Sequence, residues 1–113
     1  MWVDSFAFSG YFGAMNPAKV RRDSLRRFED LPNVGPAFAE DFRRLGYVAP
    51  DEIRGADPVA IFERLGELAG ARQDPCVLSV LLSVVEFLDG AEPRPWWEFT
   101  AQCRKLLGAR ESR

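Results

Sequence analysis

Three groups of residues have types and spacings that can do chemistry. The first is the string Leu31-Pro32-Asn33-Val34-Gly35-Pro36-Ala37. Two prolines, an asparagine and a glycine lie between charged, apolar-spaced segments, so no helix runs through it and the chain must turn there. The N–H groups that open the next helix have no intrahelical partner, and such groups can hold a phosphate. The second group is a basic run, Lys19, Arg21, Arg22, Arg26 and Arg27, continued beyond the turn by Arg43 and Arg44. Cations in that number suit a nucleic-acid backbone. The third is a pair of thiols, Cys76 and Cys103, with Trp96-Trp97 as a platform on which a base could stack.

The turn string fits the helix-hairpin-helix pattern h-P-G-h-G-x-x-x-A, read from Leu31 to Ala39. In that pattern Val34 plugs the turn into the core. Asn33 and Gly35 are the two positions expected to take backbone conformations that side chains normally forbid. Asn33 replaces the first glycine, and asparagine is the side chain that best tolerates a left-handed conformation. The candidate phosphate contacts are Pro32, Asn33, Val34, Gly35 and Ala37. Such contacts read no base, so DNA binding would be weak, sequence-independent and salt-dependent. Against it, Pro36 has no N–H, Ala37 stands where a lysine or arginine often assists, and Glu40-Asp41 adds negative charge. A tight turn with no ligand is the competing reading.

Arg22 and Arg26 are one helical turn apart and would share a face. Pairing of Asp23 with Arg27 would instead make the run an ordinary solvated surface. Cys76 falls in the first turn of a helix, where a thiol pKa is lowered, but the chain contains no histidine to partner it. A buried structural thiol is the better reading. One tryptophan is expected to anchor the core and the other to cover the neighbouring helix. No metal-ligand cluster, paired carboxylate or glycine-rich nucleotide loop is found, so the chain reads as a non-enzyme without cofactor or metal.

The elements that must position these groups follow from punctuation. Asn16-Pro17 opens a helix expected to run to Asp30. A second, AFAEDFRRLG, places Phe38, Phe42 and Leu45 on one face and stops at Gly46. Ala49 to Arg54 reads as a short helical turn ended by Gly55. Asp57-Pro58 opens a helix with Ile61, Phe62, Leu65, Leu68 and Ala69 on its apolar face, ended by Gly70. Asp74-Pro75 opens another, apolar on nearly all sides to Leu88, which is central in the core or half of an interface. Pro95-Trp96-Trp97 opens the last, with Trp96, Phe99, Cys103, Leu106 and Leu107 facing inward. The fold class is all-α, with five helices.

The chain has 113 residues, 47% apolar and 28% charged, with a net charge of −2, which is one globular domain with no global positive field. Any polyanion site must therefore be local. Residues 1–14 are aromatic, almost uncharged and unlike a secretory signal. They read as a poorly ordered leader, with Met15 as the start, residues 15–108 as the domain and 109–113 as a disordered tail. No segment is long and apolar enough to span a bilayer. Two reduced thiols in a cytoplasmic protein is the expected state.

Taken together, LPNVGPAFAEDFRRLGY, DEIRGADPVAIFERL, DPCVLSVLLSVVEFL and PWWEFT resemble the small bacterial helix-hairpin-helix family called the pathogenicity locus. Some of its members carry the label mitomycin resistance protein. The resemblance implies a SAM-like fold with tandem helix-hairpin-helix elements and an association with DNA, in repair or damage tolerance. Leu68 to Pro75 would then be a degenerate second hairpin that packs instead of binding phosphate. The function expected is a DNA-binding module whose hairpin amides and Arg/Lys patch hold phosphates. The alternative is a protein-interaction or dimerisation module in which the hairpin is purely structural.

Overall fold

A computed structural model of the chain describes Val20, residues 25–71 and residues 73–111. The described residues are all-helical: four α-helices, three short 3₁₀ turns and no strand. The helices are α1 (Pro36–Arg44), α2 (Pro58–Ala69), α3 (Pro75–Leu88) and α4 (Thr100–Glu111). The 3₁₀ turns are Phe28–Asp30, Pro50–Ile53 and Trp96–Phe99. The expected opening at Asn16-Pro17, the leader 1–14 and the residues Lys19, Arg21, Arg22 and Asp23 lie outside the described residues.

Proline and aspartate set the helix starts as their chemistry demands. Asp57 accepts the Val59 N–H at 2.9 Å and Asp74 accepts the Cys76 N–H at 2.8 Å, each with a proline following. Gly70 ends α2 at φ 67°, a left-handed conformation that closes the last turn without a Cβ penalty. At the far end of α3 the Arg54 guanidinium donates to the Leu88 carbonyl, placing a cation where the helix dipole is negative.

α3 is the axis of the core. From Val77 to Leu88 every residue except Glu86 is buried, and α2, α4 and the Trp96–Phe99 turn pack around it. Its all-round apolar surface is therefore consumed inside the chain. α1 adds Phe38 and Phe42, whose ring centroids lie 5.1 Å apart. Arg64 of α2 reaches the Leu45 carbonyl at the end of α1, at 3.0 Å.

Two expectations are corrected. No helix runs through to Asp30: Arg27 is extended (φ −121°, ψ 159°) and only Phe28–Asp30 turns, as 3₁₀. The Asp30 carboxylate takes the N–H groups of both Arg26 and Arg27, at 2.9 Å each, and Leu31 is held extended before Pro32. The described residues thus contain four α-helices where five helices were expected. On α2 only Ile61, Phe62 and Leu65 are buried, while Leu68 is 48% exposed. Ala69 is exposed as well. α4 itself is helical to Glu111.

Candidate nucleic-acid interface

The turn before α1 is built from buried residues. Pro32, Asn33, Val34 and Gly35 are all buried and Ala37 is half-buried. Val34 is fully inside the core, as the plug role requires. Asn33 takes φ 63°, the only non-glycine residue with positive φ among the described residues. Its side chain does more than tolerate that conformation. Nδ2 donates to Ser83 Oγ at 3.0 Å and to the Arg94 carbonyl at 2.8 Å, while Ser83 Oγ donates onward to the Val80 carbonyl at 2.6 Å. The turn is thereby pinned to the middle of α3 and to the loop before Trp96.

Gly35 departs from expectation. It lies at φ −98°, ψ −176°, extended backbone open to any residue, so the left-handed demand falls on Asn33 alone. Gly35 caps α1 through its carbonyl, which accepts the Ala39 N–H at 2.9 Å. Pro36 has no N–H to offer. The Ala37 N–H, half-exposed in the first turn of α1, has no hydrogen-bond partner among the described residues.

The arginines gather at the other end of α1. Phe28 stacks on Phe42 at 5.4 Å, and Arg43 lies over the Phe28 ring at 5.7 Å. Arg43 also reaches Glu29 at 3.5 Å and Glu40 at 3.4 Å. Arg27 pairs with Asp30 at 4.0 Å, and Arg44 with the buried Asp41 at 3.8 Å. Arg27, Arg43 and Arg44 are thus matched by Glu29, Asp30, Glu40 and Asp41, whereas Arg26 gives Asp30 its backbone N–H. From Pro36 to Arg43 the helix rises about 10 Å, which is the separation of the turn from the arginine cluster along α1. Burial pushes the Asp30 carboxyl up, but the N–H groups of Arg27 and Arg26 and their nearby guanidinium charges outweigh it and hold it below the usual range.

The thiols and tryptophans meet elsewhere, around a cavity of about 670 Å³ between α3 and α4. Cys76 and Cys103 are free thiols, and Cys103 Sγ donates to the Pro75 carbonyl at 3.2 Å. Burial, with the Asp74 carboxylate adding to it, pushes the Cys76 thiol up to about 12, opposite in direction to activation by the helix N-terminus. Trp96 is half-buried against the core, but Trp97 is 55% exposed and covers no neighbouring helix completely. No group of three metal-ligating side chains occurs among the described residues, and no described helix is long and apolar enough to cross a membrane.

Sequence reasoning missed the anchoring role of Asn33 and its partners Ser83 and Arg94. A signal was present: Ser79 and Ser83 sit one turn apart in an otherwise apolar helix, and both are buried. Neither serine serves the surface.

The Cdd1 family model, described as pathogenicity locus, matches residues 21–105. The chain is 39% identical over 77 residues to mitomycin resistance protein McrB of Streptomyces lavendulae, covering 68% of this chain and 73% of that protein. No solved structure matches it. The family match spans the turn, the arginine cluster, all of α3 and the tryptophan pair, and on it the chain belongs to the pathogenicity-locus family.

Proposed function

We propose that this domain is a non-enzymatic, sequence-independent DNA-binding module of the SAM-like, helix-hairpin-helix type, working in the cytoplasm in repair or tolerance of DNA damage. The observation that carries it is the Asn33 anchor. A buried side chain spends two hydrogen bonds, at 3.0 and 2.8 Å, on holding one turn in a left-handed conformation. That turn fixes the start of α1, where the unpartnered Ala37 N–H and the positive end of the helix dipole suit a phosphate. About 10 Å further along α1, four arginines suit further phosphates of the strand.

Their carboxylate partners do not forbid this. Arg27 and Arg43 are exposed, and exposed ion pairs contribute only about 0–1 kcal/mol, so a phosphate can displace a carboxylate at little cost. Such pairing does keep binding weak, which suits a chain of net charge −2. Lys19, Arg21 and Arg22, outside the described residues, carry further positive charge just ahead of Arg26 in the sequence. The related protein's name points the same way, since mitomycin crosslinks DNA.

The test is a fluorescence-anisotropy titration with a short labelled duplex at two salt concentrations. Binding at low salt that falls steeply with added salt, and falls further in an Arg26→Ala/Arg27→Ala variant, is expected. Absence of binding at low salt would refute the reading.

A further inference from the structure

The cavity between α3 and α4 has no part in the phosphate-binding site, yet it is a well-formed concavity. Its volume of about 670 Å³ lies within the range of small-molecule sites. Its walls are mainly apolar, with Pro75, Cys76, Trp96, Trp97, Cys103 and Leu107 converging on it. The two indoles meet at 80° with centroids 5.9 Å apart, forming a corner. A flat ring entering that corner can lie face to face with one indole and edge-on to the other, the two arrangements that aromatic quadrupoles favour. Trp97 keeps 55% of its surface open, a large cost for an indole that serves only packing.

We propose that this cavity is a binding site for a flat, uncharged heteroaromatic ring about the size of a nucleobase or a small fused ring system, stacked on Trp97. The absence of charge follows from the walls. The Cys76 thiol stays protonated, because burial opposes its ionisation. Asp74 spends a carboxylate oxygen on the Cys76 N–H as a helix cap. Thr100 Oγ1 turns away to donate to the Trp97 carbonyl at 2.9 Å. The two ionised groups of the lining, Asp74 and Arg104, are opposite in sign, so the walls favour no net ligand charge, whereas stacking needs no charge at all.

The ring could belong to a free small molecule or to an unpaired base in a single strand, and the test separates these sources. Riboflavin supplies a neutral fused ring; a twelve-residue oligothymidylate and an abasic strand of equal length supply bases and no bases. Binding is followed by shifts of the Trp96 and Trp97 indole N–H signals, two of the three in ¹H–¹⁵N spectra of the full chain. Two variants control for folding. Trp97→Ala removes the platform. Gly108→Leu fills the cavity mouth, where a Cβ meets nothing within 4 Å, and favours helix.

Indole shifts with riboflavin, or with oligothymidylate but not the abasic strand, are expected, with affinity roughly ten- to a hundredfold weaker in both variants. Shifts with neither probe would overturn the proposal. So would shifts that persist in folded Gly108→Leu, or that the abasic strand reproduces. None of these outcomes depends on the arginine edge, so failure here leaves the phosphate reading standing, and the reverse also holds.

Discussion

Asn33 shows how one side chain can serve backbone and core together. Its φ of 63° could be met by glycine, but glycine cannot donate to Ser83 Oγ and the Arg94 carbonyl. Asn33→Gly should therefore lose about 1–3 kcal/mol in urea unfolding, because the buried Ser83 Oγ and the part-buried Arg94 carbonyl lose their donor. Asn33→Ala should lose about 1 kcal/mol more through the left-handed strain. A stand-in for glycine would leave Asn33→Gly unchanged. Asp30 gives a pH-dependent counterpart. Its carboxyl is held below its unfolded value, so its contribution is present above about pH 4 and fades as pH falls through the folded pKa. Thermal melts should show Asp30→Ala about 0.5–2 kcal/mol less stable than wild type near neutrality, with the gap closing in acid.

At the scale of elements, what could be read from the sequence was whatever is local. The caps Asp57 and Asp74, the stop at Gly70 and the apolar period of α3 involve neighbours within a turn or two, and all stand where the residues place them. Asp74→Ala should cost about 1 kcal/mol. Leu81→Ala, which empties a fully buried site on the central helix, should cost about 2–5 kcal/mol in the same denaturation experiment. What could not be read involves competition or distance. Residues 25–30 have helix-forming spacing, but the Asp30 carboxylate offers the Arg26 and Arg27 N–H groups a rival partner. Leu68 lies on the correct apolar stripe, yet a stripe gives the direction of the core and not where the neighbouring helix ends. At the candidate site, the turn was legible in Pro-Asn-Val-Gly-Pro. The Asn33–Ser83 bond spans 50 positions, and no local pattern reports it. Nor does the arginine run itself reveal that Glu29, Asp30, Glu40 and Asp41 will fold onto it.

For the whole molecule, two balances decide behaviour. Because α3 is enclosed by α2, α4 and the Trp96–Phe99 turn, its apolar surface is not available to a second copy. Light scattering should give the monomer mass at micromolar concentration. In the arginine cluster Arg27, Arg43 and Arg44 are likewise paired with carboxylates, so DNA affinity rests on what a phosphate gains at the start of α1 and on how cheaply these pairs open. One substitution isolates the first of these. Ala37→Glu places a carboxylate beside the unpartnered N–H, where the helix dipole stabilises it by about 0.3–1 kcal/mol while a phosphate is repelled. The central claim predicts that this variant melts no lower than wild type yet binds duplex DNA several-fold more weakly at low salt. An Ala37→Glu variant with unchanged DNA affinity would contradict it.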